Sequence, residues 1–509
     1  MLRPHSRALP FAAACTALAL SLSDAQSGRT ILAPGPMGVD LGQIQLDAAA
    51  LAPGFRTGRS EAAFDADEII VAFESGALTA QSAGDTIASA GLSPQAVSYP
   101  DSADFAIVRL APGEDPESAA ALLDGAPGVR YAQPRYRVYA DARPNDPLYA
   151  QQWNFPLIDL ERAWDINPGS SQSIIVAVVD TGIAHRDLTV SFPTRAWTFR
   201  NGDTIFNLPS LGTIAVPFSR ATDLGPATSF VSPRDFIWND TTPLDLDGHG
   251  THVAGTIAQA TNNSVGTAGV AYNVRLMPVK VLSNVWDFVF GNSRVGTDDV
   301  VAQGIRYAAD NGANIINMSL GRSGGAAPAI ESALRYAVDR GVFVALTAGN
   351  NFENGNPLHR FAEIASRIAG VMAVSAVGPD RAKAPYSNTG AYVEIAAPGG
   401  NSRLGPGSTV LQQSIFSGDS NSYLGGPEVY TAPRFDRFSY RGFQGTSMAA
   451  PHVAGLAALL MHQGIRNPAV IERMIARFAT DLGTSGRDDT FGHGLISARA
   501  TLRGLGLGK

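Results

Sequence analysis

The sequence predicts an α/β protein, with a doubly wound parallel sheet preceded by a small α+β domain. After about residue 142, wholly apolar runs alternate with helical patterns, as is typical of strands buried on both faces of a parallel sheet. Before that point, about seventy-five residues alternate shorter strand and helix patterns. The apolar share of 45% and the charged share of 16% allow a large buried core.

Residues 1–25 have the pattern of a secretory signal peptide. Arg3 and Arg7 give a basic start, and an apolar stretch from Leu9 to Leu22 is followed by small residues. That stretch is short for a membrane span, so we expect a secreted protein, extracellular or periplasmic, with no membrane contact after signal removal. The single cysteine, Cys15, lies in this segment, so no disulfide is expected in the mature chain.

Residues 26–64 are rich in Ala, Gly and Pro and are interpreted as a linker, and residues 65–141 as the small domain. Its second helix tolerates Pro116, because a proline in the first turn removes no helical hydrogen bond. The expected strands are Glu68–Phe73, Phe105–Leu110 and Val129–Ala140, and the expected helices are Leu78–Ala90 and Glu114–Leu123.

Residues 142–509, which begin in a proline-rich hinge, are expected to form the doubly wound domain. Its clearest strands are Ser173–Val179, Ala313–Met318, Val342–Leu346 and Val371–Ser375. Its helices are expected at Thr251–Ala260, Thr297–Asn311, Ala329–Arg340, Ala449–Gln463 and Pro468–Ala479.

Polar residues follow these strands at the edge where open parallel sheets bind ligands. Asp180 follows the first strand, and Asn350 follows a later one. His249 and Ser447 stand near the starts of two helices, with Pro451 expected in the first turn of the second helix. The main-chain N–H of Ser447 is then an unpaired donor.

Together these groups could hydrolyse a peptide bond. Ser447 would be the nucleophile, His249 its base and Asp180 the group that orients the base, while Asn350 would donate to the oxyanion. Each residue alone has a structural alternative, such as a cap or a turn. His249 and His252 could instead bind zinc, but no glutamate accompanies them.

The motifs around these residues resemble the three active-site signatures of the subtilisin-like serine proteases. They are Val178–Ile183, His249–Thr256 and Gly445–Gly455. Their order along the chain is the family's order, and the resemblance covers residues 145–500. It implies a catalytic triad of Asp180, His249 and Ser447 acting through an acyl-enzyme intermediate, with Asn350 in the oxyanion hole. His252 would be structural.

The resemblance also implies where substrate binds. Ser319, Leu320 and Gly321 are similar to the strand that pairs with substrate and walls the first specificity pocket. Gly349 would line the same cleft. Preference for a substrate would further depend on the loop from Phe352 to Arg360.

The small domain resembles the family's inhibitory propeptide, a βαββαβ chaperone domain. This implies autoprocessing from a precursor, and we expect the cut between Tyr139 and Asn145. The expected partners are protein or peptide substrates and the chain's own propeptide, and a monomer is expected.

A calcium site is implied by loop Thr261–Thr267. The family's ligands correspond to the carboxylates of Asp146 and Asp187, the side chain of Asn263 and the backbone of Val265 and Thr267. Such oxygen ligands suit Ca²⁺. The alternative is an asparagine-rich turn without metal.

Three segments are longer than the family pattern: 196–242, 283–296 and 399–444. The second carries Trp286, Phe288 and Phe290, which could line the cleft or cover the core. Loops of this length are often functional.

Net charge and motifs limit the other function classes. A net charge of −7 and no basic block argue against nucleic acid as a partner. An inactive peptide-binding relative would have lost one of the four site residues, and all four are present. An esterase would show Gly-x-Ser-x-Gly at Ser447, which is absent.

Overall fold

The computed structural model describes residues 64–74, 79–101, 103–136, 143–201, 204–226, 229–415 and 432–504. The expected signal peptide at 1–25 lies outside these residues, as does the expected linker up to residue 63. The described residues divide into two compact units that meet in the sequence at Arg143 and Pro144. Within the described ranges, no helix has the length and apolarity that a membrane crossing needs.

The small unit is a βαββαβ domain with one antiparallel sheet, of strand order β2-β3-β1-β4. Its elements are β1 (Phe64–Phe73), α1 (Ala80–Ser89), β2 (Ala96–Ser98), β3 (Ala106–Arg109), α2 (Pro116–Leu123) and β4 (Val129–Tyr136). Pro116 occupies the first turn of α2, as expected. Its buried core includes Ile69, Val71, Ile87 and Leu123. The sequence did not predict β2, which is only three residues long.

The large unit contains thirteen strands among its described residues. These are β5 (Ile175–Asp180), β6 (Leu188–Pro193), β7 (Trp197–Asn201), β8 (Thr204–Leu208), β9 (Thr213–Phe218), β10 (Arg234–Asp235), β11 (Arg275–Lys280), β12 (Ile315–Met318), β13 (Phe343–Thr347), β14 (Val371–Val377), β15 (Ile395–Pro398), β16 (Val410–Ile415) and β17 (Phe438–Phe443).

Ten α-helices accompany them in the described residues. These are α3 (Asn154–Leu157), α4 (Leu160–Trp164), α5 (His249–Ala258), α6 (Val285–Val289), α7 (Asp298–Asp310), α8 (Pro328–Val338), α9 (Arg360–Ala365), α10 (Thr446–His462), α11 (Pro468–Arg477) and α12 (Ala498–Arg503).

Seven of these strands form one parallel sheet, in the order β10-β11-β5-β12-β13-β14-β15. Successive side chains of β5 enter two different cores: Val176 and Val178 pack on one face, Ala177 and Val179 on the other. Because both faces are covered, the strands are apolar throughout. The predicted doubly wound α/β fold is confirmed, and the predicted strands form the middle of the sheet.

Helix α10 is buried along almost its whole length and begins three residues before the predicted start. Its cap is Gly445, which has φ of 153° and makes no side-chain capping bond, so the usual sequence signal is missing. The expected place of Pro451 in the first turn is wrong, because the proline lies in the second turn. A proline there has no N–H for the carbonyl of Ser447, four residues earlier.

The three long segments contact one another through aromatic side chains. Phe218, from the first segment, stacks on Phe435, from the third, with ring centroids 5.1 Å apart. Trp286, from the second, packs edge-on against Phe435 at 6.0 Å. Trp286 and Phe290 are 3% and 1% exposed, so these two aromatics cover the core rather than line a cleft.

Candidate active site

The predicted site residues lie at the carboxyl edge of the parallel sheet. Asp180 ends β5, Ser319 directly follows β12, and Asn350 follows β13 by three residues. His249 is the first residue of α5 and Ser447 the second residue of α10. The sheet and the two helix starts therefore bring together groups that are far apart in the sequence.

His249 and Asp180 form a buried pair. Nδ1 of His249 lies 2.7 Å from Oδ1 of Asp180, and the two side chains are 8% and 0% exposed. The backbone N–H of Thr181 donates to the same carboxylate oxygen at 2.7 Å. Since the carboxylate accepts, Nδ1 carries the hydrogen and Nε2 is left as the basic nitrogen of the neutral ring.

Burial and nearby carboxylates act in opposite directions on His249. Burial disfavours the charged ring, but Asp180, followed by Asp247 and Asp245, favours it, and the pKa of His249 is raised to about 9. Burial, followed by the nearby Asp245 carboxylate, raises the pKa of Asp247 to about 6. The site is therefore built to stabilise an imidazolium next to a carboxylate.

A close approach of two backbones positions this pair. A side chain at Gly250 would overlap the carbonyl oxygen of Gly182, so only glycine fits there. The N–H of Gly250 donates to Oγ1 of Thr181 at 2.9 Å. The turn after Asp180 is thereby held against the first turn of the helix that carries His249.

Asp245 is a residue that the sequence analysis missed. Its buried carboxylate accepts from Oγ1 of Thr181 at 3.0 Å and from the N–H of Gly248 at 2.8 Å. It also accepts from N and Oγ1 of Thr251, at 2.9 and 2.6 Å. Asp245 therefore joins the turn after Asp180 to the start of α5. The only sequence signal is an aspartate four residues before His249.

A buried ion pair ties the same region to the second long segment. Lys280, at the end of β11, lies 3.1 Å from Asp287, and both side chains are almost fully buried. Its Nζ also donates to the carbonyl of Leu244 at 3.0 Å, and Trp238 Nε1 donates to Asp287 at 2.6 Å. Leu244 directly precedes Asp245, so this pair supports the loop that leads to His249.

Ser447 and Ser319 bond to each other in both directions. Oγ of Ser447 donates to the carbonyl of Ser319 at 3.3 Å, and Oγ of Ser319 donates to the carbonyl of Ser447 at 2.7 Å. The second bond uses the carbonyl that Pro451 leaves without a helical donor. In the described part of the chain, no hydrogen bond joins Ser447 to His249, so the hydroxyl must rotate before it can donate to the imidazole.

Asn350 is held with its amide nitrogen available. Its Oδ1 accepts from N and Oγ1 of Thr446, both at 2.8 Å. Among the described residues, Nδ2 of Asn350 and the N–H of Ser447 have no partner. An ideal Cβ on Gly445 would lie 3.5 Å from Nδ2 of Asn350 and 3.6 Å from N of Ser447, so both donors face one small space. That space could receive a developing oxyanion.

The other expected substrate residues lie at the ends of two neighbouring strands, β12 and β13. The carbonyl of Leu320 accepts from Oγ1 of Thr347 at 3.3 Å, which holds the Ser319–Gly321 segment beside the neighbouring strand exit. Gly349 has φ of 108°, and a Cβ there would lie 2.8 Å from Nδ2 of Asn388. His252, by contrast, is fully buried and stacks on Phe443, with ring centroids 4.3 Å apart.

The expected calcium residues are only partly brought together. The carboxylate of Asp146 accepts from the N–H groups of Asn262 at 2.8 Å and Asn263 at 3.2 Å. Asp187 instead accepts from the N–H of Arg220 at 2.8 Å and is exposed. A second carboxylate, Asp223, takes its place beside the loop.

Asp223 is buried, and it accepts from Nδ2 of Asn263 at 2.9 Å, from N of Thr267 at 3.2 Å and from the hydroxyl of Tyr440 at 3.0 Å. Burial raises the pKa of Asp223 to about 7. The described residues hold no group of three or more His, Cys, Asp or Glu side chains that could bind a metal. The loop nevertheless offers two carboxylates and backbone carbonyls, all oxygen donors of the kind that Ca²⁺ prefers.

Comparisons with known proteins agree with this geometry. Residues 171–494 match the subtilase family, and residues 52–135 match the fervidolysin N-terminal prodomain. A thermophilic serine proteinase from Bacillus sp. strain AK1 is 34% identical over 385 residues, which are 75% of this chain and 75% of that protein.

Two further relatives are matched over part of their length. An extracellular protease from Xanthomonas campestris is 32% identical, and the match covers 70% of this chain and 56% of that protein. The crystal structure of fervidolysin from Fervidobacterium pennivorans, a keratinolytic enzyme related to subtilisin, has a TM-score of 0.52 and 25% identity. That match covers 86% of this chain and 61% of that one. The chain belongs to the subtilase family and is a subtilisin-like serine protease with an N-terminal prodomain.

Proposed function

We propose that this protein is a secreted endopeptidase that cleaves peptide bonds through Asp180, His249 and Ser447 and matures by cleaving its own precursor. The observation that carries the proposal is the buried His249–Asp180 pair at the sheet edge where Ser447 begins a helix. An oriented imidazole close to a serine at a helix start is the arrangement that acyl transfer requires.

In the first half-reaction, Oγ of Ser447 attacks the substrate carbonyl and Nε2 of His249 takes its proton. Asp180 accepts the hydrogen bond from Nδ1 and stabilises the imidazolium that forms. Rotation of the Ser447 hydroxyl away from the carbonyl of Ser319 precedes this step. His249 then gives its proton to the leaving amine, and the acyl-enzyme remains.

The negative charge of each tetrahedral intermediate develops next to two donors. These are the N–H of Ser447 and Nδ2 of Asn350, which lie ready before substrate binds because Thr446 fixes the other end of the amide. In the second half-reaction, water attacks the acyl-enzyme and gives its proton to His249. His249 then returns this proton to Oγ of Ser447 as the bond between Oγ and the acyl carbon breaks, so the acid product leaves and the enzyme is restored.

The prodomain would inhibit the enzyme until the prodomain itself is digested. Its last described strand, β4, lies at an edge of the small sheet, and the segment that follows leads to the catalytic unit. An extended segment that enters the cleft can pair with the Ser319–Gly321 backbone and remain there as a product. A signal peptide at residues 1–25, cleavage between Tyr139 and Asn145, and export complete the proposed maturation.

We further propose a structural calcium ion at loop 261–267. Asp146, Asn263, Val265 and Thr267 would hold it, with either Asp187 or Asp223 as the second carboxylate. The buried position of Asp223 supports that residue, because a cation would offset the cost of burying its charge. The ion would stabilise the fold and take no part in the chemistry.

A Ser447→Ala precursor tests the function. We expect it to remain uncleaved after purification, whereas a Ser402→Ala control, changed at an exposed serine, matures normally. Loss of the same serine costs about 10⁶-fold in turnover in a subtilisin. Trace wild-type enzyme should convert the Ser447→Ala chain to a stable product of mature size, whereas an unfolded chain would be degraded completely. Self-processing of the purified Ser447→Ala variant would disprove the assignment.

A further inference from the structure

A second buried histidine lies beside the proposed nucleophile. His359 is 6% exposed and directly precedes α9. A Cβ on Gly321 would overlap Cε1 and Nε2 of its ring, and a Cβ on Gly349 would lie 3.0 Å from its Cδ2. The imidazole therefore rests against the bare backbone of two glycines from two different strand exits.

These two glycines border the place where a reacting substrate residue must sit. Gly321 comes two residues after Ser319, whose carbonyl accepts from Ser447. Gly349 directly precedes Asn350, whose side chain bonds to Thr446 beside that serine. Since β12 and β13 are neighbours in the sheet, their exits are about 5 Å apart, and the gap between them opens next to the nucleophile.

The ring is fixed in this gap by its own segment. His359 forms an isolated bridge with Ser323, and the N–H of Arg360 donates to the carbonyl of Arg322 at 2.8 Å. Nδ1 of His359 accepts from the N–H of Ala362 at 3.3 Å, which caps the helix. A nitrogen that accepts carries no hydrogen, so the hydrogen of the neutral ring is on Nε2. Burial lowers the pKa of His359 to about 4, which keeps the ring neutral at the working pH of a serine protease.

We propose that His359 forms the floor of the pocket for the side chain that precedes the scissile bond, and limits that side chain to a small one. The inference deepens the proposed function and rests on it. Close-packed interiors do not yield to extra volume without strain. An alanine or serine would fit above the imidazole, while a phenylalanine would need the ring to move.

The test compares matched peptides that differ only at this position, with alanine or phenylalanine before the scissile bond. We expect wild-type enzyme to cleave the alanine peptide with at least tenfold higher kcat/KM. His359→Asn keeps a short side chain that can cap α9, and His359→Ala removes the cap as well. Both should raise the phenylalanine-to-alanine ratio of kcat/KM at least tenfold, because both remove the ring.

A control is His493→Asn, at an exposed histidine that lines a different cavity, which should leave the ratio unchanged. A change in His359→Ala but not in His359→Asn would show that only the helix cap matters and would overturn the proposal, as would an unchanged ratio in both. Labelling of Ser447 by a fluorophosphonate separates the two levels of inference. If the variants label and cleave with an unchanged preference, the pocket assignment fails, whereas no labelling of wild-type enzyme refutes the proposed function itself.

Discussion

Replacement of Asn350 by aspartate is expected to abolish most of the activity without unfolding the protein. The aspartate keeps the oxygen that accepts from N and Oγ1 of Thr446, both at 2.8 Å. It exchanges the Nδ2 donor, which faces the same space as the N–H of Ser447, for a negative oxygen. Ground-state packing is thus conserved, while the oxyanion loses one donor and gains a repulsive neighbour.

The expected loss of kcat depends on how many hydrogen bonds each substitution removes. Removal of one oxyanion donor in a subtilisin costs about 10²–10³-fold in kcat, or about 2.7–4 kcal/mol, and the added charge should make Asn350→Asp at least as severe. Thr446→Val removes only one of the two bonds to Oδ1 of Asn350. A typical net hydrogen bond is worth about 1 kcal/mol, so we expect a loss of about fivefold. KM should change little in either variant, because the lost interactions belong to the transition state.

The assay is steady-state hydrolysis of a chromogenic peptide, with active sites counted by titration. Variants that do not process themselves are matured with trace wild-type enzyme and repurified. Melting curves should show that Asn350→Asp remains folded. A folded Asn350→Asp enzyme that kept kcat within tenfold of wild type would rule out this role for Asn350, as would a larger loss in Thr446→Val.

Three other predictions concern protonation, metal and the prodomain. Only neutral His249 accepts the serine proton, and the pKa of His249 is raised to about 9, so kcat/KM should rise with pH well above 6.5, the ordinary pKa of a histidine. Asp245→Asn should move this rise to lower pH, because the Asp245 carboxylate helps to raise the pKa of His249. Full activity at pH 4 would contradict the role of His249 as the base. Excess chelator should lower the melting temperature of the wild-type enzyme, because calcium would bind only the folded chain. Asp146→Asn should remove this effect of the chelator, and a comparison of Asp187→Asn with Asp223→Asn should identify the second carboxylate ligand. A wild-type melting curve that does not change with chelator would argue against the site. Residues 65–141 added to mature enzyme should inhibit it at micromolar concentration, as measured by initial rates, and absence of inhibition would contradict the propeptide assignment.

The sequence predicted the middle of the large sheet because its strands are buried on both faces. The runs around Val176 and Val344 are apolar at every position, a pattern typical of strands that are buried on both faces of a parallel sheet. The sheet's edge was not predicted, since β10 has only two residues and lies inside the long segment 196–242. The helix starts at His249 and Thr446 were placed two and three residues late, because Gly248 and Gly445 cap without a side chain.

Residues that support or surround the catalytic groups have weaker signals in the sequence than the catalytic groups themselves. Asp245 supports the His249 loop by accepting from five different donors, yet a single aspartate before a turn is common in any sequence. The place of His359 depends on two glycines that lie 38 and 10 residues before it, and only the fold brings them together. Asp223 reaches loop 261–267 from a long segment that no periodicity located.

In the proposed mechanism, Ser447 is the nucleophile and is activated by His249 and Asp180. The most direct test of this role is to treat the processed enzyme with a fluorophosphonate, digest it and locate the adduct by mass spectrometry. One adduct is expected, on Ser447; it should form with loss of activity and form far more slowly in a folded His249→Ala variant. An adduct on a different serine, or full proteolysis by a chain that carries no adduct after treatment, would contradict the role of Ser447 as the nucleophile.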